Sequence, residues 1–364
     1  MNCIDPWGKI EIKDYNTLCD KFGIDKFFKI LPKISNPSLS MRRGLIFGHK
    51  DFQVILKAIN EKKDFVMMTG LMPSGRFHLG HKMIAEEIIY YQKLGAECFI
   101  AVADLEAYLT RNISLEQAKE IAIDQYLLNY IALGLKPNKV HFYFQTNGTK
   151  SYMNLSKMIS KKTTFNEITN IYGETSPVKI VSALTQVADI LHPQLKEFGG
   201  PKPTVVPVGA DQLPHINFTR DIAYRMSSEF KFISPSAVFN KVLPGLKGGK
   251  MSSSDITSYI ALTDSPKDTA KKIKNYAFSG GQATVEEHRK KGGNPDVDIS
   301  YQLLRFGLEE NDKKLEKIYD DYKSGKLLSG ELKEILIEKL TRFLEQHQEK
   351  REKAKNLVDK FLFN

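Results

Sequence analysis

The 364-residue sequence predicts an α/β fold that gives way near residue 265 to an all-α unit. Three observations carry that reading. Short, continuously apolar runs alternate with amphipathic helical stretches up to about residue 263, the pattern of βαβ units around a parallel sheet with helices on both faces. After that point the apolar runs stop and only helical periodicity continues. Gly280-Gly281 and Gly292-Gly293 punctuate that helical part.

In chain order, residues 1–63 read as an N-terminal extension of short helices. Trp7, the single tryptophan, follows Pro6, and Met41-Arg42-Arg43-Gly44 is basic. Residues 51–60 place Phe52, Ile55, Leu56 and Ile59 on one helical face. Residues 65–69 form a buried strand that stops at Gly70. Gly70, Pro73 and Gly75 break the chain before a helix near Leu79, whose stripe is Leu79, Met83, Ile84 and Ile88. Residues 98–103 form a second buried strand ending at Asp104. Strand, loop, helix and strand in about 40 residues make a βαβ unit with parallel pairing. A long helix capped by Ser114 carries Leu115, Ala118, Ile121 and Ala122. Residues 140–144 are a third strand, 179–191 a helix, and 204–208 a further strand closing on Gly209-Ala210-Asp211. Helices follow at 265–276, 299–309, 312–323 and from Gly330 onward, punctuated by Gly280-Gly281 and Gly292-Gly293.

Composition bounds the function. Lys plus Arg number 53 and Asp plus Glu 43, a net charge of +10 that permits a polyanion partner without requiring one. With 41% apolar and 26% charged residues, a disordered chain or a disulfide-stapled mini-fold is excluded. Cys3, Cys19 and Cys98 form no Cys-x-x-Cys, so each reads as a small hydrophobe in a reducing compartment. The first 13 residues carry Asp5, Lys9, Glu11 and Lys13 and lack the apolar stretch of a signal peptide. No apolar run approaches the roughly 20 residues that span a bilayer. A cytoplasmic location is expected.

The strongest chemical signal is Pro73-Ser74-Gly75-Arg76-Phe77-His78-Leu79-Gly80-His81, where the first parallel strand hands over to a helix. Ligands of open α/β sheets bind beyond the carboxyl ends of strands. Helix N-termini attract phosphate through free N–H groups and the helix dipole. Two imidazoles add donors there, and Gly80 removes a side chain that would block a ligand. The chemistry suits a triphosphate whose oxygens gain charge in the transition state. By itself the pattern also fits two surface histidines at an ordinary helix start. Lys250-Met251-Ser252-Ser253-Ser254 narrows the choice. Its lysine offers a mobile positive charge and its serines offer hydroxyl and N–H donors. Such a loop can close over a polyphosphate and stabilise a leaving pyrophosphate.

Together the two motifs resemble the signatures of class I aminoacyl-tRNA synthetases, and the helical tail is similar to that of the tyrosyl and tryptophanyl subclass. Over nearly its whole length the chain resembles tryptophanyl-tRNA synthetases of the archaeal and eukaryotic type. The likeness includes Asp5-Pro6-Trp7, Arg42-Arg43-Gly44-Leu45-Ile46-Phe47-Gly48-His49, Gly209-Ala210-Asp211-Gln212 and Thr219-Arg220-Asp221. It continues through Ala277-Phe278-Ser279-Gly280-Gly281, Glu286-Glu287-His288-Arg289, Gly292-Gly293-Asn294 and Glu345-Gln346-His347-Gln348. The resemblance implies a Rossmann-type catalytic domain over residues 64–264, with a connective insertion at about 112–200, and a helical anticodon-binding domain with a C-terminal helix over 265–364. It implies activation of tryptophan by ATP to an adenylate, then transfer to the 3′ end of tRNA(Trp). Mg²⁺ would accompany ATP, held by its phosphates and not by a dedicated protein site. A homodimer is implied as well. His78 and His81 are assigned to the ATP phosphates and Lys250 to the pyrophosphate. Gly70, Pro73, Ser74, Gly75, Gly80, Gly209, Asp211, Met251, Ser252, Ser253 and Ser254 complete the expected ATP surface.

For the amino acid, the resemblance points to Met68, Gly70, Glu106, Gln186, Asp189 and Gln212. A carboxylate at the place of Glu106 binds substrate in eukaryotic relatives, and Gln186 matches a glutamine near the substrate amino group. Asp189 lies one helical turn on and faces the same way. In tyrosyl enzymes that aspartate meets a phenol; here it can accept an indole N–H. The sequence departs from the eukaryotic pattern at Met68, where Tyr is expected, and at Ala101, where Gln is expected. Met68 denies a phenol its hydroxyl partner, and both residues also read as plain core filling. Lys271, Lys272, Lys274, Lys290, Lys291, Lys350, Arg351, Lys353 and Lys355 form basic helix faces, ordinarily solvated, part of which the resemblance assigns to the tRNA anticodon arm. Three alternatives stand beside this function. They are a tyrosyl-tRNA synthetase, a small-metabolite nucleotidyltransferase that the helical tail and Lys250 loop oppose, and a non-catalytic RNA-binding paralogue that two intact signatures oppose.

Overall fold

The structure, a computed structural model, describes residues 14–249, 251 and 255–362. Lys250, Ser252, Ser253, Ser254, Cys3 and the Asp5-Pro6-Trp7 segment lie outside the described residues. The strands are β1 (Asp25–Lys26), β2 (Ile46–Lys50), β3 (Val66–Leu71), β4 (Glu97–Val102), β5 (Val140–Phe144), β6 (Thr204–Gly209) and β7 (Ser236–Asn240). They form one sheet in the order β1-β2-β7-β6-β3-β4-β5. β7, β6, β3, β4 and β5 run parallel. β2 pairs antiparallel with β7, and β1 antiparallel with β2.

The parallel core follows from the apolar runs. In β4, Cys98, Ile100 and Val102 enter one apolar cluster while Phe99 and Ala101 enter another across the sheet. Helix Leu79–Lys93 supplies Leu79, Ala85 and Ile88 to the first cluster; helix Leu213–Arg225 supplies Leu213 and Ile216 to the second. A strand covered on both faces needs apolar residues at every position, not at alternate ones.

Two expectations change. The sheet is mixed and not wholly parallel, and residues 1–63 contain strands as well as short helices. In β2 the residues Ile46, Phe47, Gly48, His49 and Lys50 give no continuous apolar run. Tertiary packing makes the strand: a Cβ at Gly48 would stand 2.4 Å from the Ile24 side chain, so only glycine admits the segment carrying β1. β7 also escapes sequence reading, because Ser236 and Asn240 flank only three apolar residues, although all five are buried.

From Pro266 onward the described residues form helices, including Pro266–Tyr276, Asp312–Lys323 and the tail helix Ser329–Ala354. Ser265 and Asn311 cap the first two through side-chain oxygens. Arg43 ties the N-terminal segment to this region. Its guanidinium donates to the Asp312 carboxylate (2.8 Å) and to the carbonyls of Arg305 (2.8 Å) and Glu309 (2.6 Å). His288 and Arg289 hold the turn before the tail helix through the carbonyls of Leu327 (3.0 Å) and Gly325 (2.9 Å). Two of the basic tail residues are internal partners and not a free RNA surface. Lys272 pairs with Asp264 at 2.8 Å, and Arg351 pairs with Asp124 at 2.6 Å. No helix among the described residues is long and apolar enough to cross a membrane.

Candidate active site

β3 leads through helix Leu79–Lys93 to β4 on one side, and β6 leads through helix Leu213–Arg225 to β7 on the other. The connections diverge between β3 and β6, which opens a crevice at their carboxyl ends. A cavity of about 420 Å³ occupies it. Met68, Gly70, Glu106, Gln186, Asp189 and Gln212, the six residues expected around the amino acid, all line this cavity. Gly209 and Ala101 line it too. Met68 and Ala101 are buried, and with Ile190 and Val206 they make its apolar wall.

Asp189 is held from three sides. Its Oδ1 accepts from the hydroxyls of Tyr143 (3.0 Å) and Tyr152 (2.8 Å), and its Oδ2 accepts from Gln145 Nε2 (2.8 Å). A carboxylate has about four acceptor positions, so one remains, on Oδ2. Burial pushes the Asp189 carboxyl up to about 7, against the pull of these donors. Gln186 Nε2 donates to Gln212 Oε1 (3.2 Å), and Gln212 Nε2 to Asp211 Oδ2 (3.3 Å). A Cβ at Gly209 would stand 2.4 Å from Asp211 Oδ1, so glycine there lets the Asp211 carboxylate fold back against the end of β6.

His78 and His81 stand outside the cavity wall, at the amino end of helix Leu79–Lys93, where His78 is the N-cap. Their rings stack with centroids 3.8 Å apart and planes 23° apart. The Gly80 N–H donates to His78 Nδ1 (3.1 Å), and the His78 N–H donates to His81 Nδ1 (3.2 Å). With both Nδ1 atoms accepting, each neutral ring carries its proton on Nε2. Burial pushes the His78 imidazole down to about 4. Burial, then the neighbouring His78, push His81 well below its usual value. At neutral pH the pair therefore offers two uncharged Nε2–H donors.

The position of Gly80 corrects the sequence reading. A Cβ there would lie 2.9 Å from His78 Cε1 and 3.1 Å from His78 Nδ1. The missing side chain makes room for the His78 ring and not first for a ligand. The Met251 sulfur stands 3.8 Å from the same point, so the second signature touches the first. The chain just beyond the Lys250 loop pairs with the histidine segment: Leu79 N–H donates to the Ile260 carbonyl (3.2 Å) and Leu262 N–H to the Phe77 carbonyl (2.9 Å). Lys247 and Asp255 pair at 3.1 Å across the base of that loop. Pro73, Ser74 and Gly75 lie in the turn after β3, where the Ser74 N–H donates to the Met72 carbonyl (2.9 Å).

Sequence reasoning missed Gln145, Arg111 and His215, which also line the cavity, and Tyr143 and Tyr152, which orient Asp189. Gln145 had a signal, since it directly follows β5 at a strand's carboxyl end. The tyrosines had none, because they reach Asp189 from 46 and 37 residues away.

Residues 60–345 match the family of class I tRNA synthetases for tryptophan and tyrosine. The chain belongs to this family. A tryptophan–tRNA ligase from Aeropyrum pernix is 47% identical over 99% of this synthetase and 97% of its own length. One from Methanocaldococcus jannaschii is 43% identical over 99% and 98%. The crystal structure of tryptophanyl-tRNA synthetase from Aeropyrum pernix superposes with a TM-score of 0.93, covering 98% of each chain. This synthetase is of the archaeal tryptophanyl type, with a class I catalytic sheet and a helical C-terminal region.

Proposed function

We propose that this chain is a tryptophan–tRNA ligase. The observation that carries the reading is the single cavity that gathers the amino-acid residues beside a neutral imidazole pair, in a chain 47% identical to a tryptophan–tRNA ligase from end to end. The tryptophan carboxylate attacks the α-phosphate of ATP and pyrophosphate leaves. The 3′-terminal ribose hydroxyl of tRNA(Trp) then takes the acyl group and AMP leaves. Neither step requires a protein nucleophile, so positioning and charge stabilisation do the catalysis.

In this reading His78 and His81 donate from Nε2 to the ATP phosphates, and Lys250 neutralises the departing pyrophosphate. Gly70, Gly80, Gly209, Asp211 and Met251 border adenosine and phosphate, with Pro73, Ser74, Gly75, Ser252, Ser253 and Ser254 completing that surface. Glu106 and Gln186 meet the ammonium group, and Gln212 steadies Gln186. The open acceptor position on Asp189 takes the indole N–H against the wall of Met68 and Ala101. Mg²⁺ arrives with ATP and is held mainly by its phosphates. The working enzyme is a cytoplasmic homodimer whose tail helices meet the tRNA.

ATP–pyrophosphate exchange with tryptophan and with tyrosine, followed by charging of tRNA(Trp), tests this function. Exchange driven by tryptophan and by no other amino acid is expected, with charging. Exchange with tyrosine alone overturns the tryptophan assignment. Adenylate formation without charging points instead to a small-metabolite nucleotidyltransferase.

A further inference from the structure

The tail motif Glu345-Gln346-His347-Gln348 has no part in the chemistry above, yet two of its side chains reach the histidine loop. His347 is 2% exposed. Its Nε2 donates to Asn129 Oδ1 (2.7 Å), the only role open to it opposite an amide oxygen. Asn129, wholly buried, donates from Nδ2 to the main-chain carbonyl of Gln125. The Gln125 side-chain Oε1 accepts from the Phe77 N–H (3.4 Å).

A second path starts one residue later. Gln348 donates from Nε2 to the carbonyls of Leu262 (3.1 Å) and Asp264 (2.9 Å). The Leu262 N–H then donates to the Phe77 carbonyl (2.9 Å). Both backbone polar groups of Phe77, the residue before His78, are held by chains that end on consecutive residues of the tail helix.

The local structure of the intermediate segment supports this link. Gln125 lies in a π turn, Ala122–Leu127, inserted in an otherwise α-helical stretch. Such turns carry a looser hydrogen-bond ladder and recur at functional sites. This one sets Gln125 against Phe77 and the Tyr126 ring 5.1 Å from the His81 ring. Arg351, a helical turn beyond His347, holds the same segment through the Asp124 carbonyl (2.8 Å) and carboxylate (2.6 Å).

We propose that His347 and Gln348 are positioning residues for adenylate formation. They fix the backbone at Phe77 from both sides and so aim the stacked imidazoles of His78 and His81. The proposal rests on the reading of that pair as ATP contacts. It makes the tail helix part of the ATP site's support, since a displacement of about 1 Å at a reacting group can cost up to a hundredfold in rate.

Hydrogen exchange of the free full-length protein is measured for His347→Leu, His347→Gln and Gln348→Ala, with exposed Gln346→Ala as control. Faster exchange at residues 77–80 in His347→Leu and Gln348→Ala is expected, with β4 unchanged. His347→Gln keeps a donor near the Nε2 position and restores protection. In ATP–pyrophosphate exchange, His347→Leu and Gln348→Ala lose roughly tenfold in kcat/KM for ATP. Their tryptophan dissociation constant stays within about twofold. Unaltered exchange at 77–80 overturns the proposal whatever the activity, and so does equal loss toward ATP and tryptophan. Gln348 is only half-buried, so Gln348→Ala opens no core cavity and decides the matter if His347→Leu fails to fold. A wild-type chain that forms no adenylate defeats the ATP reading of the histidines, while hydrogen exchange still decides the mechanical link.

Discussion

Gly80 shows how much of the site depends on one absent methyl group. An alanine there would place its Cβ 2.9 Å from His78 Cε1, and the ring must move to admit it. The Nδ1 bond from the Gly80 N–H and the stack on His81 would go with it. Gly80→Ala should therefore slow adenylate formation on the order of a hundredfold. Tryptophan affinity should hold, because the cavity proposed to take the amino acid is lined by other residues. Steady-state exchange and calorimetric tryptophan titration check the two halves. The histidines themselves were legible, since imidazoles at a strand-to-helix junction announce their chemistry by residue type. Their proton location was not. It follows from which Nδ1 atom meets which backbone N–H, a fact of geometry that no spacing encodes.

At the scale of elements, the largely apolar strands β3, β4 and β6 were readable because burial on both faces imposes one composition throughout, while β5, a half-buried edge strand interrupted by His141, was readable from its aromatic and β-branched residues. β2 and β7 were not, because neither holds a long apolar run and both depend on partners supplied from elsewhere. The same holds for Arg43, read as part of a basic stretch. Its side chain is 6% exposed and satisfies carbonyls at the end of a tail element 262–266 residues away. Removing it strands those acceptors in a buried place. Arg43→Ala should lower unfolding stability by about 3 kcal/mol, measured from urea midpoints at constant slope. A loss within the range of an exposed ion pair, below about 1 kcal/mol, would show that the Asp312 contact alone mattered.

For the whole molecule, buried titratable groups set an optimum of stability. Burial pushes the imidazoles of His78, His192 and His347 down to about 4, and that of His215 down to about 3. The unfolded chain binds protons at these sites below about 6.5 while the folded chain does not, so stability falls as pH drops from there. Burial acts oppositely on carboxyls. Asp189 is raised to about 7 and Glu87 to about 8. The Glu87 oxygens make no hydrogen bond of normal geometry, and nearby Asn240 offsets only part of the burial. These groups stabilise below their unfolded values, and that contribution is lost as pH rises through the folded ones. Between about 4.5 and 6.5 the imidazoles outnumber the two carboxyls; above it only the carboxyls still titrate. Unfolding midpoints should peak near neutral-to-slightly-acid pH and decline toward pH 8. A steady rise to pH 9 would contradict the upward shifts that burial gives Glu87 and Asp189.

The sequence by itself determined the parallel α/β core, the helical tail and the histidine signature, and its resemblance to a family named the six residues that meet in one cavity. Apolar runs and chemically unusual clusters are local, and local pattern is what a sequence displays. Tertiary structure alone decided the antiparallel strands of the N-terminal segment, the two tyrosines and Gln145 that hold Asp189, and the path from His347 and Gln348 to Phe77. Each joins groups far apart in the chain through single hydrogen bonds or close packing. Such contacts leave no period or motif behind, because their geometry exists only once the sheet, the π turn and the tail helix have come together.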